Sequence, residues 1–163
     1  MLGTSNEIRN PGLRALPPGV ERYFVKGGGL SVIEVFPEDK VEIINDDGKQ
    51  LCEIIVFNSN GKPDLSILNL KENANADFSK KTIAKDEKIS KIFKKRNLDL
   101  NKAKSSIIFD EDCLMGEKIS LLSKDKCFVL IAALGDPLNV HEQNPPTDLT
   151  VFINRAKFSE TDE

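Results

Sequence analysis

Short runs rich in valine and isoleucine, most of them stopped by Gly, Pro, Asp or Asn, recur through this chain, and no helical segments alternate with them. They occupy residues 22–25, 30–36, 40–45, 50–57, 105–110, 117–123, 127–134 and 149–154. Branched side chains suit a pleated, half-buried surface, so each run reads as a strand. A parallel sheet would need a crossover helix between successive strands. The pattern therefore predicts a mainly β (α+β) fold, an antiparallel sandwich or partly open barrel of about seven or eight strands.

Within this frame the local signals differ in kind. Asp46-Asp47-Gly48-Lys49 separates two runs with an Asp-Gly pair, the source of positive φ in tight turns, and predicts an antiparallel hairpin of 40–45 on 50–57. Val41, Ile43 and Leu51 alternate there with Lys40, Glu42 and Gln50, giving one buried and one wet face. Residues 65–70 fit a short strand or a helical turn equally. One amphipathic helix is expected up to Arg96, with Asp86 as N-cap and Ile89, Ile92 and Phe93 at i, i+3 and i+4. This stripe is read as core packing. Pro11, Pro17 and Pro18 make residues 1–19 an extended arm, 20–158 a single β-rich domain and 159–163 a polar tail.

Composition removes several function classes. A 163-residue chain with 39% hydrophobic and 30% charged residues can bury its own core without staples. Lys+Arg 23 against Asp+Glu 26, scattered along the chain, leave no nucleic-acid footprint. No apolar run reaches the roughly 20 residues of a membrane span, and no signal peptide opens the chain. Three well-separated cysteines, Cys52, Cys113 and Cys127, fit a reducing compartment, so the expected location is cytoplasmic, without membrane or nucleic-acid partners.

Candidate chemistry is sparse. No CxxC, HxxxH or HExxH occurs, so no metal ligands and no catalytic residues are assigned. The cysteines read as buried and inert, Gly27-Gly28-Gly29 as a bend, and Asp46-Asp47 and Asp110-Glu111-Asp112 as turns. His141, the single histidine, stands in a proline-bounded loop with Asn139 and Asp148, and these three are the ligand-binding candidates.

Four segments carry a resemblance: Leu16-Pro-Pro-Gly-Val-Glu-Arg-Tyr23, Gly27-Gly-Gly-Leu-Ser-Val-Ile-Glu-Val35, Lys40-Val-Glu-Ile-Ile-Asn-Asp-Asp-Gly48 and Pro146-Thr-Asp-Leu149. Together they resemble the N-terminal, urea carboxylase-associated-like domain of long bacterial aminomethyltransferases related to the glycine cleavage T-protein. The resemblance implies a non-catalytic accessory domain in one-carbon metabolism. Its partner would be the catalytic module of the parent chain or a small amine-type ligand. Tetrahydrofolate would belong to the parent's folate module, with no cofactor in this chain. The closely spaced Cys and His associated with the urea carboxylase-associated pattern are not found around Cys113. The alternatives are a stand-alone β-rich ligand-binding module and a purely structural interaction domain.

Overall fold

The computed structural model describes residues 16–135 and 146–156. Eight strands run β1 Val20–Val25, β2 Leu30–Val35, β3 Lys40–Asn45, β4 Cys52–Asn58, β5 Ser106–Ile108, β6 Glu117–Leu122, β7 Cys127–Ala133 and β8 Leu149–Asn154. They form two four-stranded antiparallel sheets, ordered β1-β8-β3-β6 and β2-β7-β4-β5. Most connections pass from one sheet to the other, and the order is that of a double-sheet jelly roll. The expected sandwich is therefore what forms.

Between the sheets lies an aliphatic core that includes Val41, Ile43, Ile54, Val56, Val129, Ile131 and Val151. A second cluster covers the outer face of the β2-β7-β4-β5 sheet, where Ile55, Phe57, Leu130 and Ala132 meet Ile83 and Phe93 from two helices. These helices, α1 Asp77–Ala84 and α2 Glu87–Lys95, lie with a 3-10 turn, Leu65–Leu68, in the β4–β5 connection. The molecule thus has three layers. Strand β4, sandwiched between core and helices, is buried from Cys52 to Phe57 and turns neither face to solvent.

That burial corrects the hairpin expectation. β3 pairs with β6 and β8, whereas β4 pairs with β5 and β7, so the Asp-Gly turn joins two sheets. Gly48 does take φ +77°. A strand buried on both faces, however, finds cover only in the sheet that carries the helices. Residues 50 and 51 form the corner: Gln50 is buried and donates to the carbonyls of Leu51 at 2.7 Å and Leu134 at 2.8 Å.

The helical expectation was met for α2 and missed α1. Asp86 caps α2 by accepting from the amides of Lys88 and Ile89. Of the stripe, Phe93 is buried edge-on to Phe57 with ring centroids 5.8 Å apart, Ile89 is half-buried, and Ile92 is 45% exposed. Helix α1 follows Ala76 at φ 60°, with no side-chain cap from its own sequence neighbours. Its cap comes from β4: Glu53 Oε1 accepts from the Ser79 amide at 3.0 Å and from Ser79 Oγ at 2.6 Å.

Candidate functional site

Two regions on the surface of this sandwich combine shape with polar chemistry. The first is the base of the loop between β7 and β8. Gly27 donates its amide to Asp148 Oδ1 at 2.8 Å, and Thr147 donates its amide to Gln50 Oε1 at 2.7 Å. A Cβ on Gly27 would stand 2.6 Å from the carbonyl of Pro146, so only glycine allows 146–148 to approach this closely. The first Gly of the triple is thus a packing requirement, and Gly28 supplies the bend at φ 80°.

Asp148 is exposed, and its second carboxylate oxygen has no partner among the described residues. Asn139 and His141 lie outside the described residues, so of the three candidates the structure places Asp148. Beneath it, Asn45 Nδ2 donates to the Gln50 carbonyl at 2.8 Å and to Cys113 Sγ at 3.3 Å. Asn45 Oδ1 and Thr147 Oγ1 are buried without a hydrogen-bond partner among the described residues. This end of the sandwich is therefore polar inside as well as outside. Sequence reasoning missed both Asn45 and Gln50: the alternation put Gln50 on the wet face opposite a buried Leu51, whereas Gln50 is buried and Leu51 half-buried, and Asn45, a polar residue ending an apolar run, gave no signal of its burial.

The second region is a groove of about 390 Å³ beside β2, the edge strand of its sheet. Leu30, Val32 and Phe128 form its floor, and Ile89, Ile92 and Arg96 of the α2 segment form its wall. Arg96 stacks over the Phe128 ring at 5.1 Å, so a cation borders an apolar floor. Tyr23 and Glu34 close the other side, and Glu34 pairs with Lys126 at 3.4 Å.

All three cysteines are buried and free. Burial raises each thiol pKa, Cys127 to about 11, which keeps it protonated at neutral pH. No group of three or more His, Cys, Asp or Glu gathers in metal-binding geometry among the described residues. The space between the sheets, a natural pocket in such folds, is filled by the aliphatic core. No helix is long and apolar enough to cross a membrane among the described residues.

No protein-family model matches the chain. Over 153 residues, 91% of its length, it is 30% identical to the trimethylamine-oxide aldolase of Ruegeria pomeroyi (strain ATCC 700808 / DSM 15171 / DSS-3). The chain is thus similar to one part of a much larger enzyme, spanning 19% of that protein's length.

Proposed function

We propose that this chain is a non-catalytic accessory domain of an enzyme system that handles methylated amines or their N-oxides and passes one-carbon units to tetrahydrofolate. The observation that carries the reading is the match of nearly the whole chain to a fraction of a trimethylamine-oxide aldolase. A unit that accounts for so little of a large enzyme, and whose cysteines are buried and protonated, is better suited to binding or docking than to bond-making. The folate-dependent aminomethyltransferase chemistry is assigned to the partner module and rests on the sequence resemblance.

Within this reading the loop end is where a small amine would bind. Asp148 offers a cationic or zwitterionic nitrogen a carboxylate oxygen that has no partner among the described residues, and Asn139 and His141 are the further candidates that the sequence names for this loop. Thermal shift with trimethylamine N-oxide, trimethylamine, dimethylamine and tetrahydrofolate tests it. A ligand at about 100 times its Kd stabilises the fold by about 2.7 kcal/mol. Asp148→Asn should abolish the shift produced by an amine while leaving the unliganded melting temperature within a degree or two. No shift with any amine sinks the binding role, and formaldehyde release from trimethylamine N-oxide by the isolated chain sinks the non-catalytic one.

A further inference from the structure

The sandwich carries an apolar prong on one side and an apolar groove on the other. Residues 113–116, the last part of the β5–β6 connection, form a tight turn in which Glu117, the first residue of β6, donates its amide to the Leu114 carbonyl at 3.1 Å and Gly116 takes φ 80°. Leu114 and Met115 project from it, 73% and 78% exposed. The turn is braced from below. The Gly116 amide donates to the Asn45 carbonyl at 2.8 Å, the Lys49 amide to the Cys113 carbonyl at 2.9 Å, and the Leu114 amide to Glu117 Oε1 at 3.1 Å. Two large apolar side chains on a fixed turn present a preorganised contact, which loses little entropy on binding.

The charges around prong and groove are of opposite sign. Residues 110–117 hold Asp110, Glu111, Asp112 and Glu117 with no basic residue, and Asp46 and Asp47 precede the Gly48 that packs on the turn. Lys49 and Lys118 are the nearby cations. Beside the groove, residues 85–96 hold Lys85, Lys88, Lys91, Lys94, Lys95 and Arg96 against Asp86 and Glu87, and Asp86 is engaged as the N-cap. Arg96 lines the groove itself, and Lys88 and Lys95, at i−4 and i+3 from Ile92, flank it on the exposed outer side of the helix. Glu34 on the far rim is paired with Lys126.

We propose that this chain associates head to tail with copies of itself, the turn bearing Leu114 and Met115 of one copy seating in the β2–α2 groove of the next. Topology forbids a copy from filling its own groove. β5 and β6 are at one edge of their sheets and β1 and β2 at the other, so prong and groove lie on opposite sides of the sandwich. The contact is heterologous, with acidic frame on basic rim and apolar side chains on the floor of Leu30, Val32 and Phe128. It is independent of the amine-binding reading, which concerns the loop between β7 and β8.

Light scattering on size-exclusion fractions tests it. Wild type should exceed monomer mass, increasingly so with concentration, and lose mass as salt is raised from about 50 to 500 mM. L114S/M115S removes the prong and Ile92→Glu spoils the groove, and each variant alone should be monomeric. Mixed, they should form a one-to-one dimer and nothing larger, because one retains a groove and the other a prong. If Ile92→Glu fails to fold, K88E/K95E replaces it, since both lysines are exposed. A wild type that stays monomeric up to about 1 mM overturns the proposal and leaves prong and groove to separate partners. Variants that remain oligomeric, or a mixture that stays monomeric while wild type assembles, also overturn it, the latter by indicating a symmetric interface.

Discussion

Glu53 is 2% exposed yet bears a carboxyl group, and every contact it makes explains why it is tolerated. Oε1 accepts twice from Ser79, and Oε2 accepts from Ser105 Oγ at 3.0 Å, whose oxygen in turn accepts from the Ala76 amide at 2.9 Å. One side chain thereby satisfies the Ser79 amide, an otherwise orphaned donor in the first turn of α1 where the helix dipole favours an acceptor, together with the Ser79 and Ser105 hydroxyls. Glu53→Ala would leave those donors buried and unmet, each costing about 1–3 kcal/mol. We expect a loss of about 3 kcal/mol in urea unfolding, with the slope unchanged. Glu53→Gln keeps an acceptor for Ser79 and should lose less than half as much. A loss below about 0.5 kcal/mol for Glu53→Ala would mean that solvent reaches these donors.

At the scale of elements, the helical layer is fastened mainly through aromatic and aliphatic contacts on the outer sheet face. Phe93 is 4% exposed and meets Phe57 with the rings at 86°. Its removal opens a cavity between α2 and β4, and Phe93→Ala should cost about 3–5 kcal/mol by denaturant midpoint. A cost near zero would mean that α2 is frayed from the sheet. Which elements were legible follows from where their partners sit in the chain. α2 was readable because Asp86 and its apolar stripe are local, and β8 was readable as a bounded apolar run. α1 was not, because its cap comes from Glu53, 26 residues before Ser79. The Asp46–Gly48 turn has the expected positive φ, but its neighbours are decided by the two-sided burial of β4, which pairing rules along the sequence do not see. Asp148 was picked as a loop carboxylate; its anchor, Gly27, is 121 residues away.

For the whole molecule, the two sheets are tied along the β1–β2 side by one arginine at the end of β8. Arg155 donates to both carboxylate oxygens of Glu21, at 3.0 and 2.8 Å, to Asp39 Oδ2 at 2.8 Å, and to the Glu34 carbonyl at 2.9 Å. It thus joins β1 and β8 of one sheet to β2 of the other, through a buried Asp39 that also accepts from the Phe36 and Ala156 amides. Removing the guanidinium strands Asp39, and Arg155→Ala should cost about 3 kcal/mol or more. The same cluster contributes to the pH dependence of stability. Hydrogen bonding from Arg155 holds the Glu21 carboxyl below its usual range, so this contribution is present above the unfolded-state pKa and lost as pH falls through the depressed folded value. Burial, together with its 2.6 Å hydrogen bond to Glu21, raises the Tyr23 phenol. The folded state then favours the neutral phenol, and stability declines as pH rises through the unfolded tyrosine range toward the raised folded value. Melting temperature against pH should therefore fall on both the acid and the alkaline side. Glu21→Gln should flatten the acid limb and Tyr23→Phe the alkaline limb. Glu21 and Tyr23 are both partly exposed, so solvent screening keeps both effects small. Unchanged profiles in both variants would assign the pH limits to groups outside this cluster.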